Sequence, residues 1–136
     1  MTVRPATAAD IPRLIEIRAA VRENRLVNRS IGPSDYRPYI DAARCWVWEE
    51  DGQTHGFCAI EPDGASLWAL FVRPGAEGRG IGRALLEKAC TAARAVGAAT
   101  LSLTTEPNSR AERLYARFGF EAAGHAGTDV RMTLTL

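Results

Sequence analysis

The sequence lacks the features that would place it in a membrane or on nucleic acid. It has no apolar run long enough to cross a bilayer, no signal-peptide pattern, no internal repeat and no low-complexity segment. Its 17 Lys and Arg residues nearly balance its 16 Asp and Glu residues, so the net charge is only +1. A charge this small argues against nucleic acid or an anionic membrane as the main partner.

Cysteine and histidine are also scarce. The three cysteines, Cys45, Cys58 and Cys90, are odd in number and scattered, which predicts reduced core residues in a cytoplasmic protein. None of them has an evident base partner, so a nucleophilic thiol is not expected. His55 and His125 lie far apart in the sequence without ligand spacing, so we expect no metal site.

Length and composition predict one domain. The 136 residues are 46% hydrophobic, which is enough apolar material for a single core. We therefore treat residues 1–136 as one domain.

The most informative segment is a glycine-rich turn between a strand and a helix. The run Ser66 to Val72 is apolar and strand-like, and Gly78, Gly80 and Gly82 follow it. After them an apolar stripe predicts a helix from Gly80 to Val96. Glycine lets a ligand approach the backbone closely, and the first turn of a helix offers free N–H groups to an anion. The segment therefore predicts a site for a phosphate-bearing ligand.

Two general phosphate motifs fit this turn poorly. A P-loop needs Gly-Lys-Ser/Thr, and the chain has Gly82-Arg83-Ala84. A dinucleotide fingerprint needs G-x-G-x-x-G, and it fails whether counted from Gly78 or from Gly80. Glu106 follows the loop by about 20 residues, where a ribose-binding acid stands in such folds, so this alternative stays open.

A third motif fits better. Glu77-Gly78-Arg79-Gly80-Ile81-Gly82 resembles the Arg/Gln-x-x-Gly-x-Gly/Ala loop that binds acetyl-CoA in the GCN5-related N-acetyltransferases. Its first position departs from that pattern, since Glu77 stands where Arg or Gln is usual. This change does not affect the backbone N–H groups, which are expected to make most of the contacts with the pyrophosphate.

A second segment, Pro107 to Phe120, resembles the Asn-x(5-6)-Tyr-x-x-x-Gly-Phe element of the same family. Pro107 suits a first helical turn and Gly119 a C-terminal cap. The spacing of Asn108, Ala111 and Tyr115 would place all three on one helix face. Tyr115 on its own could equally be a packing aromatic, but the glycine loop upstream favours the functional interpretation.

The resemblance implies an α/β fold, with a mixed, mostly antiparallel central sheet, flanking helices and splayed strands at the acetyl-CoA site. The element pattern agrees: we predict strands at 2–4, 44–50, 55–61, 66–72 and 100–104, helices at 7–25, 34–43 and 80–96, a helix around Tyr115, and a last strand pair near Phe120 and at 130–136, joined by a turn at 124–129.

The resemblance also implies a function: transfer of an acetyl group from acetyl-CoA to a primary amine of a small molecule or peptide, by direct attack in a ternary complex. In this interpretation Tyr115 is the general acid that protonates the departing thiolate. The residues implied in cofactor binding are Leu70, Phe71, Val72, Glu77, Gly78, Arg79, Gly80, Ile81, Gly82, Arg83, Asn108, Ala111 and Tyr115.

The base and the acceptor are less defined by the sequence. Glu49, Glu61 and Asp63 are candidate bases, and an ordered water is an equal alternative. Asn24, Tyr36 and Trp68 are candidate acceptor contacts. We expect a monomer or a homodimer. A non-catalytic sensor that binds acetyl-CoA or CoA is the alternative function.

Overall fold

The computed structural model describes residues 2–21 and 31–136. Seven strands and four α-helices make up the described part of the chain. In chain order they are β1 (Thr2–Pro5), α1 (Ile11–Ala20), α2 (Pro33–Asp41), β2 (Cys45–Glu50), β3 (Gln53–Ile60), β4 (Leu67–Val72), α3 (Ile81–Ala95), β5 (Thr100–Thr105), α4 (Arg110–Phe118), β6 (Glu121–Ala126) and β7 (Asp129–Thr135). None of these helices is long and apolar enough to cross a membrane.

The strands form two antiparallel groups, ordered β1-β2-β3-β4 and β5-β7-β6. A single parallel bridge between Ser66 and Ser102 joins them, where the Ser102 N–H donates to the Ala65 carbonyl at 2.9 Å. Beyond that bridge β4 and β5 share no ladder hydrogen bonds. The predicted mixed, mostly antiparallel sheet with splayed strands is confirmed.

Two apolar clusters hold helices against the sheet. On one face α1 and α2 bury a cluster that contains Leu14, Ile17, Tyr36 and Phe57. On the other face α3 packs with α4 and the strands, and Leu85 lies at the centre of this second cluster. Strand β4 contributes side chains to both clusters, so its backbone separates the two faces at the splayed edge.

The predicted element boundaries need three corrections. The first helix was expected from Thr7 to Arg25, but a 3-10 turn occupies Ala8–Asp10 and α1 ends at Ala20 because Val21 is extended, with ψ 114°. Residues 22–25 lie outside the described part of the chain. The expected turn at 124–129 is shorter, since Gly124 forms a bulge inside β6 and the turn falls at 127–128.

The third correction concerns the start of α4. Pro107 was expected in its first turn, but Ser109 is the N-cap: its hydroxyl accepts the Glu112 N–H at 3.1 Å and donates to the Glu106 carbonyl at 2.6 Å. The expected cap at Gly119 is confirmed, with φ 123°. Helix α4 therefore begins three residues later than the proline position indicates.

Candidate active site

A cleft of about 1090 Å³ opens where β4 and β5 separate. Its walls come from the β4 edge, the glycine loop, the first turn of α3, the end of β5 and helix α4. Arg18 and Val21 close it from the α1 side. The splay creates this space because two neighbouring strands leave their facing backbone edges unpaired.

The glycine loop forms one end of the cleft. Gly75, Gly78 and Gly80 have φ of 94°, 79° and 83°, a region that side chains other than glycine rarely adopt. Gly80 is the N-cap of α3, and the backbone N–H groups of residues 81–83 donate to no described residue. These free donors, at the positive end of a helix dipole, are suited to bind an anion.

Gly82 has a different reason to be glycine. It is helical, and a Cβ at this position would lie 2.8 Å from Cδ2 of Leu114 on α4. The missing side chain therefore lets α3 and α4 pack closely beside the cleft. The close packing of α3 and α4 therefore places the glycine loop next to the helix that carries Tyr115, and these are the two segments that resemble the family.

Glu77 stabilises the loop. Its carboxylate accepts the Gly75 N–H at 2.8 Å, across a turn in which Gly75 is left-handed. Hydrogen bonds from the backbone N–H groups of Glu77 itself and of Gly75 lower the pKa of this carboxyl. The residue that departs from the family pattern thus closes the turn that presents the glycines.

Strand β4 carries a bulge that the sequence did not reveal. Ala59 on β3 pairs with Ala69, but the next residue, Ile60, pairs with Leu67, so Trp68 is an extra residue without a partner. Such a bulge bends the strand and re-aims its neighbouring groups. It lies beside the cleft, on the strand edge that separates from β5.

Tyr115 is 5% exposed and lines the cleft from α4. Its ring lies edge-on to Phe120 with centroids 5.6 Å apart, which fixes its orientation. Helix α4 positions this side chain opposite the β4 edge. A tyrosine held here is placed to meet a ligand that lies between the strands.

Most residues that the resemblance implied in cofactor binding do line the cleft: Leu70, Phe71, Val72, Glu77, Gly78, Gly80, Ile81, Gly82, Arg83, Ala111 and Tyr115. The side chain of Arg79 points elsewhere, because it pairs with Glu50 at 2.7 Å and lies over the Trp48 ring. Asn108 does not line it either: it precedes α4 in a left-handed conformation, with φ 61°, so the expected shared helix face is wrong.

The three candidate acceptor contacts have different outcomes. Trp68 lines the cleft. Tyr36 does not, because it is fully buried against Phe57 and Trp68, so its expected direct contact with the cleft is wrong. Asn24 lies outside the described residues.

None of the three candidate bases lines the cleft. Glu49 pairs with Arg4 at 2.6 Å, Glu61 accepts from the Tyr39 hydroxyl at 3.0 Å, and Asp63 accepts from the Ala65 N–H at 2.9 Å. Two carboxylate residues that the sequence did not suggest as bases do line it: Glu106, noted only as a possible ribose-binding acid, directly after β5, and Asp129 at the start of β7. The signal for Glu106 was its place at the end of the strand facing the gap.

The cysteines take no part in the site. All three are buried, and burial raises the pKa of each thiol, that of Cys45 to about 12. The thiols are therefore protonated near neutral pH and suit a packing role.

The comparison with protein families identifies this architecture. The model of the Acetyltransferase (GNAT) family matches residues 14–120. The chain therefore belongs to the GNAT acetyltransferase family. This match favours the acetyl-CoA interpretation of the glycine loop over the dinucleotide one.

Individual proteins extend the comparison. The chain is 51% identical over 49 residues to peptidyl-lysine N-acetyltransferase YiaC of Escherichia coli, covering 36% of this chain and 33% of that protein. It is 36% identical over 88 residues to a mycothiol acetyltransferase of Beutenbergia cavernae, covering 60% of this chain and 30% of that protein. The matches thus span about a third of these relatives' own length.

The fold is shared with solved structures. The crystal structure of PaiA N-acetyltransferase from Thermoplasma acidophilum in complex with coenzyme A superposes with a TM-score of 0.84 at 17% identity, covering 99% of this chain and 98% of that one. At this identity the likeness shows a common fold.

Proposed function

We propose that this chain is an N-acetyltransferase that moves the acetyl group of acetyl-CoA to a primary amine of a small molecule or peptide. One observation carries the proposal: a single cleft joins an anion-binding helix start, an unpaired strand edge and a buried tyrosine. Family membership and two acetyltransferase relatives support it. We further propose that residues 1–136 act as one domain.

The cleft suits acetyl-CoA in two ways. The free N–H groups at the start of α3 would bind the pyrophosphate, with Arg83 in the same helical turn. The unpaired edge of β4 at residues 70–72 would pair with the amides of the pantetheine arm, as an added strand would. The coenzyme A in the PaiA structure supports acetyl-CoA as the co-substrate.

The chemistry needs three groups. A neutral amine attacks the thioester carbonyl, and the carbonyl oxygen becomes an oxyanion that backbone N–H groups of the β4 edge stabilise. When the C–S bond breaks, the sulfur leaves as a thiolate and takes the proton of the Tyr115 hydroxyl. The products are the acetylated amine and CoA.

The amine must also lose a proton. Because Glu49, Glu61 and Asp63 do not line the cleft, we propose that an ordered water accepts it. Glu106 and Asp129 are the carboxylates placed to receive the proton from that water, since Glu77 is engaged with the loop. This step is a general-base step without a covalent enzyme intermediate.

The test combines binding and turnover. Calorimetry with CoA and with NAD identifies the ligand of the glycine loop, and free-thiol detection measures acetyl transfer across a panel of amino acids, polyamines, aminoglycosides and lysine peptides. We expect CoA binding and amine-dependent thiol release. CoA binding without release would instead support the sensor, and NAD binding without CoA binding would overturn the proposal.

A further inference from the structure

Arg18, in the last turn of α1, carries a charge that has no carboxylate partner among residues 2–21 and 31–136. It lines the cleft, and its Nε and Nη1 atoms are buried with no hydrogen-bond acceptor among the described residues. No carboxylate of the described chain lies within ion-pair distance of it. The five N–H donors of a guanidinium are normally satisfied when buried, so this arrangement needs an explanation.

The surroundings of Arg18 are aromatic. Its guanidinium carbon lies 5.0 Å from the centre of the Trp68 ring and 4.8 Å from that of Phe71. These rings contact the planar group by cation–π interaction, but they accept few hydrogen bonds. Arg18 is half-buried as a residue, but burying its Nε and Nη1 donors without acceptors costs free energy that the ring contacts do not offset.

A second buried polar group, the Tyr36 hydroxyl, lies beside the Arg18 guanidinium. The Tyr36 hydroxyl is buried and has no hydrogen-bond partner in the described chain. Burial raises the pKa of this hydroxyl, and the neighbouring Arg18 guanidinium offsets part of that rise. Arg18 from α1 and Tyr36 from α2 therefore lie side by side behind Trp68, at the wall of the cleft, close enough to interact but without a hydrogen bond of normal geometry between them.

The cofactor phosphates are not the missing partner. Trp68 and Phe71 pack with the α1 and α2 cluster, whereas Leu70 and Val72 pack with the α3 cluster. Arg18 is therefore on the opposite face of β4 from the helix that offers the anion site. An acceptor entering from the α1 side would reach Arg18 while its amine faces the thioester in the cleft.

We propose that Arg18 binds a carboxylate of the acceptor, so that the substrates are amines that also carry a carboxylate group. A carboxylate is the natural complement, because its two oxygens accept several hydrogen bonds and guanidinium–carboxylate bonds are among the stronger ones in proteins. The inference rests on the proposed acetyl transfer for its amine, but the carboxylate site itself does not depend on turnover.

The first test therefore measures binding alone. With CoA present, calorimetry compares N-acetylglycine, N-acetyl-L-leucine and 4-acetamidobutyrate, each against its carboxamide; these three vary the distance from nitrogen to carboxylate. We expect at least one acid to bind more tightly than its amide, by about 10- to 100-fold, the range of hydrogen bonds to a charged group. Arg18→Met should remove this preference, and Arg18→Lys should keep part of it.

The matched control is Arg37→Met, which removes an exposed arginine from α2 and should leave the preference intact. Circular dichroism and CoA affinity establish that each variant is folded. Equal affinity for acid and amide in every pair, or an unchanged preference in Arg18→Met, overturns the inference.

The second test uses turnover to separate the inference from the proposed function. With glycine, L-leucine and 4-aminobutyrate against their amides, we expect Arg18→Met to raise the KM for the acid while leaving CoA affinity unchanged. Should no amine be acetylated while the acid preference persists in binding, the carboxylate site stands and the proposed acetyl transfer fails.

Discussion

At the scale of single residues, Tyr115 has the most demanding proposed role. It is buried on α4 and lines the cleft, and its ring is fixed against Phe120. A phenol whose reference pKa is about 10 transfers its proton readily to a thiolate of similar basicity. Removing the hydroxyl alone therefore tests the chemistry with little change in packing.

We predict that Tyr115→Phe lowers kcat by about 10²- to 10⁴-fold, the usual contribution of a general acid. The affinity for acetyl-CoA should change much less, because the proton is needed only as the C–S bond breaks. Steady-state kinetics and CoA calorimetry measure the two effects. A thioester with a more acidic thiol should recover part of the rate, and a kcat near that of the wild type would make Tyr115 a packing residue.

The contact of Glu77 in the loop changes the expected effect of this residue on CoA binding. Its charge alone would only oppose a nearby phosphate, but its carboxylate accepts the Gly75 N–H. Glu77→Ala should therefore weaken CoA binding by about 2- to 10-fold, as expected for the loss of one solvent-exposed hydrogen bond. Glu77→Gln keeps an acceptor oxygen and removes the charge, so its affinity should equal or exceed that of the wild type. If calorimetry shows the same loss of CoA affinity in both variants, the hydrogen bond between Glu77 and Gly75 does not support CoA binding.

At the scale of elements, the start of α3 is the proposed phosphate site. Its N-cap, Gly80, is left-handed, and nothing lies within 4 Å of where a Cβ would be. A side chain there would meet a bound phosphate before it met any other part of the protein. Substitutions at Gly80 therefore change ligand binding more than they change packing.

We predict that Gly80→Asp abolishes CoA binding in calorimetry and that Gly80→Asn weakens it less. The two side chains have nearly the same size and both tolerate a left-handed backbone, so the difference between them isolates the charge beside the phosphate. Gly97→Asp is the control, since Gly97 is also left-handed with open space around it, just beyond the far end of α3. Normal CoA binding by Gly80→Asp would remove the loop from the site.

At the scale of the whole molecule, Arg4 links β1 and β2 to the start of α1. It donates two hydrogen bonds of 2.9 Å to Asp10 and one of 2.6 Å to Glu49. The Arg4 hydrogen bonds are the largest cause that lowers the pKa of Asp10. Because the folded pKa lies below the unfolded one, this contact stabilises the fold above about pH 4, and the gain is lost as the pH falls through the folded pKa.

We predict that Asp10→Asn lowers the free energy of unfolding at pH 7 by roughly 1–2 kcal/mol, as for a partly exposed hydrogen-bonded ion pair. The gap between variant and wild type should close as the pH is lowered toward 2, because wild-type Asp10 is then also neutral. Urea denaturation across this pH range measures it. Asp51→Asn, in an exposed turn, is the control and should show no such pH-dependent gap. A constant gap at every pH would mean that charge is not the cause.

Local signals were enough to predict the glycine loop, the helix that follows it and the Tyr115 helix. Strand-to-helix transitions, apolar periodicity and glycine positions all act through neighbours in the sequence. The boundaries of α1 and α4 were less predictable: Val21 leaves the helix although the apolar stripe continues, and Ser109 supplants Pro107 as the start of α4. Caps of this kind depend on hydrogen bonds that periodicity does not encode.

The sequence by itself determined the family, the candidate anion site at the start of α3 and the candidate acid Tyr115, because each depends on residues that are close along the chain. Only the tertiary structure decided that Tyr36 is buried, that Trp68 is a bulge residue and that Arg18 lies between two aromatic rings with no ion-pair partner in the described part of the chain. These features arise where β4 meets α1 and α2, between segments far apart in the sequence. Strand register, the separation of neighbouring strands and the burial of a charge all depend on contacts between distant segments. A local sequence pattern therefore cannot predict them.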